Sequence, residues 1–196
     1  MIETLKFKYD EHCNMVSDIN EHLPVLVEYG RECSHITEMG VRWGSSTWAL
    51  IYSQPKKMIS YDVLRTKEIN EIIDFVKDNK LNFEFIQSDV LSVEIEPTEL
   101  LFIDTLHTYN QLIQELKLHS IKVSKYIILH DTESFAYTDE FIYEHASNIV
   151  KESKIENQGL IPAINDFLSS EIGKEWEIFK KFTNNNGLTI LKRKFQ

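Results

Sequence analysis

Ser34-His35-Ile36-Thr37-Glu38-Met39-Gly40-Val41-Arg42-Trp43-Gly44-Ser45-Ser46-Thr47-Trp48-Ala49-Leu50-Ile51-Tyr52 is the stretch on which the fold turns. Ser34 to Met39 is short and partly apolar and ends at Gly40, while Gly44 and three hydroxyl residues open an apolar helical segment, Trp48 to Tyr52. The pattern is strand, turn, helix. It recurs downstream, with Met58 to Val63 as a strand, Lys67 to Asp78 as a helix carrying Ile69, Ile72, Ile73 and Val76 on one face, and Leu81 to Ile86 as a third strand. Glu99 to Ile103 and Tyr126 to Leu129 have strand length, and between them Leu112, Ile113, Leu116 and Ile121 fit a helical period. Strands this apolar are covered on both faces, and parallel neighbours need crossover connections. The alternation therefore predicts an α/β fold, a doubly wound, mostly parallel sheet.

The ends of the chain depart from that rhythm. Residues 18 to 30 predict a leading helix, capped by Asp18 or Asn20 and stopped by Gly30. Gly159 to Ile164 begins another helix. Trp176 to Phe182 and Leu188 to Leu191, joined through Asn184-Asn185-Asn186-Gly187, predict an antiparallel C-terminal hairpin. No repeat or Pro/Gly-rich linker interrupts residues 1–196, so one domain is expected: a leading helical segment (1–33), a cofactor-binding half (34–134), and a helical insert with the terminal hairpin (135–196).

With 21 basic and 31 acidic residues the formal charge is −10, which repels a phosphate backbone, and the one basic cluster, Lys192-Arg193-Lys194, reads as a solvated strand end. Nucleic acid is not an expected partner. Cys13 and Cys33 have no metal-site spacing and read as reduced thiols. Met1 to Met15 has scattered charges in place of a signal peptide's apolar run, and nowhere do eighteen apolar residues stand together, so the cytoplasm is expected and a membrane is not.

In an open parallel sheet, ligands bind beyond the carboxyl ends of the strands. Glu38 to Ser46 places Gly40 and Gly44 where backbone approaches a ligand, just before a helix N-terminus. The spacing Gly-x-x-x-Gly after an acid differs from the dinucleotide pattern Gly-x-Gly-x-x-Gly, and Glu38 suits a cofactor with an ammonium and a sulfonium. Asp62 stands where an acid accepts from a ribose, and Asp89 where one would meet an adenine amino group. Taken singly, each acid could instead cap the next helix.

After the fourth and fifth strands come Asp104-Thr105-Leu106-His107-Thr108-Tyr109 and His130-Asp131-Thr132. With the glycine loop, these residues resemble class I S-adenosylmethionine-dependent methyltransferases, within them the small-molecule O-methyltransferase-like group with Asp-x-x-His-x-Tyr and His-Asp motifs. The resemblance covers most of residues 34 to 194. It implies a Rossmann-like, seven-stranded sheet of order 3-2-1-4-5-7-6 with an antiparallel last strand, and S-adenosylmethionine held by Glu38, Gly40, Arg42, Gly44, Ser45, Ser46, Asp62, Asp89 and Asp104.

Methyl transfer to a hydroxyl requires the acceptor proton to be removed, or its pKa lowered by a metal. Asp104, His107, His130 and Asp131 are the catalytic candidates, with His107 as base. Asp104, His130 and Asp131 are the metal candidates, for Mg²⁺ through oxygen, or for Mn²⁺ where a histidine joins. Tyr109 suits substrate contact or packing on the sheet equally. His12, His22, His35, His119 and His145 are read as structural. The family's glycine pair before the fifth strand is missing from Lys122 to Lys125, which displaces that strand, and Leu91 to Pro97 is too short for a full helix.

Phe135, Tyr137, Phe141, Tyr143 and His145 lie in the insert, where aromatics suit stacking on a sugar ring, core packing or a contact within a homo-oligomer. The expected partner is a small hydroxylated acceptor, a sugar or polyol. The alternatives are a nicotinamide-dependent oxidoreductase, disfavoured by the glycine spacing, and a non-catalytic cofactor-binding or scaffold protein.

Overall fold

The computed structural model of the chain describes residues 2–142, 144, 146–151 and 158–194. Seven helices and seven strands appear among them: α1 (Ile2–Asn14), α2 (Leu23–Gly30), β1 (His35–Met39), α3 (Ser45–Tyr52), β2 (Lys57–Asp62), α4 (Lys67–Asp78), β3 (Phe83–Gln87), β4 (Thr98–Ile103), α5 (Tyr109–His119), β5 (Val123–His130), α6 (Asn148–Lys151), α7 (Leu160–Ser169), β6 (Trp176–Phe182) and β7 (Leu188–Arg193). The sheet runs β3-β2-β1-β4-β5-β7-β6, parallel except for β7, which pairs antiparallel with both β5 and β6. This is the expected α/β order, terminal hairpin included.

Alternate residues of the central strands feed two apolar layers. Ile36, Leu100, Phe102, Tyr126 and Ile128 pack under α1 to α4, whereas Met39, Leu101, Ile103, Ile127 and Leu129 pack under α5 and α7. Since both faces are covered, the carboxyl ends of the strands are left as the place for a site. No helix among the described residues is long and apolar enough to cross a membrane.

Several local expectations need correction. Met1 to Met15 was read only for its scattered charge, but residues 2–14 form α1, which buries Leu5 and stacks Tyr9 on Tyr52 of α3 at 4.5 Å. The helix expected over 18–30 is a single tight turn, Asn20–His22, followed by α2, because Pro24 suits only a helix's first turn. Ile121 lies beyond the end of α5 and is exposed. β5 starts at Val123, three residues earlier than expected, and its pairing with β4 shifts register between Thr98 and Leu100. Among the described residues of the insert up to Gly159 only α6 is helical, residues 133–138 being turns and bends. Tyr143 and His145 lie outside the described residues.

The β6–β7 turn is anchored on two sides. Asn185 accepts from the Glu21 amide (3.0 Å) and donates to the Ser17 carbonyl (2.8 Å), and the Asn186 carbonyl accepts from the amides of Glu133 and Ser134 (2.9 and 3.1 Å).

Candidate active site

A crevice of about 420 Å³ opens at the carboxyl ends of β1, β2, β3 and β4, within the size range of small-molecule sites. Gly40, Arg42, Asp62, Asp89 and Asp104 line it, together with Trp43, Thr105, His107, Gln111 and Glu140. The loop after β1 is folded by its glycines. Gly40 has φ +86°, and a Cβ there would stand 1.9 Å from the Asp104 carbonyl oxygen; only glycine lets the ends of β1 and β4 approach so closely. Arg42 is also left-handed, at φ 49°, and its guanidinium lies 4.0 Å over the Trp43 ring and 2.9 Å from Asp18.

Glu38 is wholly buried beneath the loop and does not line the crevice. Its oxygens accept from Ser46 Oγ (2.6 Å), Thr47 Oγ1 (2.8 Å) and Ser60 Oγ (2.6 Å). Burial pushes its carboxyl up to about 7, against the pull of those three hydroxyls. The expected direct contact with a cofactor ammonium thus meets an acid already engaged in tying β1, β2 and α3 together. Ser45 bonds His12 Nδ1 at 2.9 Å, and Gly44, at φ +78°, is the N-cap of α3; neither is on the crevice wall.

Asp62 organises the loop as well as facing the crevice. Oδ2 accepts from the amides of Val41 (2.8 Å) and Arg42 (3.0 Å), and Oδ1 from that of Leu64 (2.8 Å). Asp89 Oδ1 accepts from the Leu91 amide at 2.9 Å in a single turn, Val90–Ser92, so the segment after β3 carries no full helix, as its length implied.

Behind the crevice stands a cluster of acids and imidazoles. His107 Nε2 lies 3.1 Å from Asp104 Oδ1 and 2.9 Å from Asp131 Oδ2, its Nδ1 lies 2.9 Å from Glu140 Oε2, and its ring stacks on Phe135 at 4.8 Å. His130 Nδ1 is 3.3 Å from both Asp104 and Asp131, and its Nε2 is 3.1 Å from the Asp18 carbonyl oxygen. Burial opposes charge throughout, yet the reciprocal pairing outweighs it. Bonds to three carboxylates raise His107 well above the ordinary imidazole value, His130 rises to about 10, and the two imidazoles hold Asp104 and Asp131 well below the usual carboxylate range. This pairing favours the protonated imidazole of His107, so the expected role as base requires a change in the cluster that frees one of its nitrogens.

Ligand atoms of Asp104, His107 and Asp131 lie within 4.8 Å of one another, so His107 joins two of the expected metal candidates, and His130 Nδ1 stands 3.3 Å from the same two carboxylates. Asp131 sits at φ 59°, and its buried Oδ1 has no hydrogen-bond partner among the described residues. An unpaired buried carboxylate oxygen on a strained residue is costly unless something else uses it. Tyr109 is a packing residue: its hydroxyl donates to Asp166 of α7 at 2.7 Å. Glu140 was not among the candidates, and no spacing marks it, since it reaches His107 from 33 residues away. His12, His22, His35 and His119 stand outside the cluster, His35 on the Pro97 carbonyl and His119 on that of Val90.

No protein-family profile and no curated protein matches the chain. Solved structures do match its fold. A Staphylococcus aureus protein provisionally named a caffeoyl-CoA O-methyltransferase aligns over 98% of this chain and 91% of its own, with 13% identity and a TM-score of 0.62. The SAH-bound methyltransferase PaMTH1 of Podospora anserina aligns over 97% and 88%, with 12% identity and a TM-score of 0.61. The 16S rRNA methylase RmtB aligns over 91% of this chain and 64% of its own, with 13% identity and a TM-score of 0.56. At these identities the likeness establishes a fold shared with methyltransferases, whose acceptors differ widely.

Proposed function

We propose that this protein is an S-adenosylmethionine-dependent methyltransferase that methylates a hydroxyl of a small acceptor, a sugar or polyol, with a divalent cation assisting. The observation that carries the reading is the meeting of two features at one crevice: the glycine loop with Asp62 and Asp89 on one side, and Asp104 and His107 on the other, with Asp131 behind them. The fold shared with an SAH-bound methyltransferase supports the cofactor. Asp62 and Asp89 offer acceptors for ribose hydroxyls and the adenine amino group, and the loop from Gly40 to Gly44 brings backbone close to the methionine end. S-adenosylmethionine supplies an electrophilic methyl group to the attacking oxygen.

The residues present fit a divalent cation. Two carboxylates and an imidazole converge, one carboxylate oxygen is unpaired, and Glu140 accepts from the far nitrogen of the imidazole, the outer partner that orients a ligating histidine. Asp104, His107 and Asp131 would hold it, and the histidine favours Mn²⁺ or a related metal over Mg²⁺. A cation held there would lower the pKa of an acceptor hydroxyl. His107 must then be neutral, with its remaining proton on Nδ1 directed at Glu140; His130, bonded to the Asp18 carbonyl and to Asp104, keeps that carboxylate aimed at the cluster.

Calorimetry with S-adenosylhomocysteine and with NAD tests the cofactor, and methyl transfer to a panel of sugars and phenols, with and without a chelator, tests the chemistry. Micromolar binding of the first compound alone is expected, with turnover abolished in Asp104→Ala and reduced by chelation. Binding of NAD in its place, or full turnover in both Asp104→Ala and His107→Ala, rejects the proposal; full turnover under chelation rejects the cation.

A further inference from the structure

Glu115 has no part in the cluster above, yet it is wholly buried one helical turn beyond Gln111 on α5. Its Oε1 accepts from Gln111 Nε2 (2.7 Å) and Thr105 Oγ1 (2.6 Å), and its Oε2 has no hydrogen-bond partner among the described residues. Burial pushes the carboxyl up to about 7 against those two bonds. The proton of the neutral form belongs on the free Oε2, so Oε1 remains an acceptor in both protonation states. Gln111 and Thr105, the two residues it holds, are both on the crevice wall.

A primary amide has one donating end and one accepting end. With Gln111 Nε2 held on Glu115 Oε1, turning the amide over would set oxygen against an accepting oxygen, so one N–H stays on Glu115 and Oε1 is the edge of the amide turned away from it. Asp89 on the neighbouring wall is a second acceptor, and its charge is close enough to contribute to raising Glu115. Thr105 cannot offset this with its hydroxyl proton, which is spent on Glu115. This end of the crevice therefore presents acceptors to a bound base.

We infer that Gln111, locked by Glu115, is a specificity-determining residue that selects a cofactor base with an exocyclic amino group over one with a carbonyl at the same position. Glu115 acts through Gln111 and is a positioning residue. The inference rests on the cofactor reading above. Adenine donates two hydrogens into such a wall, whereas hypoxanthine sets a carbonyl lone pair against it and leaves acceptors facing one another.

The test is calorimetric titration of the intact protein with S-adenosylhomocysteine and S-inosylhomocysteine, in the parent, Gln111→Leu, Glu115→Leu and Glu115→Gln, with folding checked by thermal unfolding. The parent is expected to prefer the adenosine compound by roughly tenfold or more. Gln111→Leu lowers the ratio by removing the acceptor. Glu115→Leu lowers it by freeing the amide to turn its donor toward the 6-oxo group, so the inosine compound binds more tightly than in the parent. Glu115→Gln, which keeps an acceptor oxygen, retains most of the preference. A purely structural Glu115 weakens both ligands by one factor and leaves the ratio unchanged.

An unchanged ratio in Gln111→Leu and Glu115→Leu overturns the inference, and Gln111→Leu decides alone if Glu115→Leu does not fold. Failure of the parent to bind S-adenosylhomocysteine rejects the cofactor reading and this inference with it. Binding with an unchanged ratio rejects the inference only.

Discussion

Replacing Glu38 by glutamine tests the account of the loop's foundation. The carboxyl titrates near 4.5 in an unfolded chain but near 7 in the folded protein, because burial penalises its charge more than three hydroxyls repay it. Between those values the unfolded chain holds fewer protons than the folded one, so the contribution of Glu38 to stability falls as pH rises. A separation of about 2.5 pH units corresponds to about 3 kcal/mol, present in full below pH 4.5 and gone above pH 7. Glutamine has the same shape and no titration, and the hydroxyls of Ser46, Thr47 and Ser60 can rotate to accept from its amide. Urea unfolding of both proteins from pH 4.5 to 8 should show the parent losing about 3 kcal/mol relative to Glu38→Gln across that range. A difference that stays constant with pH would refute the reasoning, since Glu38 would then carry no proton to lose.

Gly40→Ala should lower stability by about 3 kcal/mol or more and abolish S-adenosylhomocysteine binding, both read by thermal unfolding with and without ligand, because its Cβ meets the Asp104 carbonyl in a left-handed conformation. Unaltered unfolding would mean the two strand ends can separate freely. Asp62→Asn should cost about 1–2 kcal/mol and weaken the same ligand roughly tenfold, since an amide can satisfy the loop amides or that of Leu64 but not both. Glu140→Gln should lower Mn²⁺ affinity by about tenfold to a hundredfold in calorimetry; unchanged affinity would reduce Glu140 to a latch for the insert.

The sheet was legible because its strands are apolar on both faces and its hairpin is announced by Asn-Gly, although the strand order came from family resemblance, not from periodicity. α1 was missed for the opposite reason: its core-facing stripe is thin, with only Leu5 buried and Tyr9 and Cys13 half-buried among charged neighbours. Asp104, His107, His130 and Asp131 were visible as candidates from their places after two strands, but their roles were not. Next to Asp104 in sequence, His107 reads as a base with one acidic neighbour; in space it has three, which together raise its affinity for a proton. His130 and Asp131, adjacent in the chain, both reach this cluster and lie 3.3 Å from each other there, with the Asp131 backbone in the left-handed region, a geometry that adjacency alone does not reveal. Glu38 illustrates the same limit, since sequence shows that an acid precedes the loop but not that three hydroxyls enclose it.

The asparagine turn between the last two strands bonds to the segment ahead of α2, which holds Asp18 with its links to Arg42 and His130, and to the segment that follows Asp131. During synthesis, residues 40 to 131 leave the ribosome well before Asn185 does. A nascent chain therefore carries the full set of proposed ligands while lacking the clamp that steadies their surroundings, and competence to hold a cofactor should arise late and abruptly, when the hairpin emerges and docks.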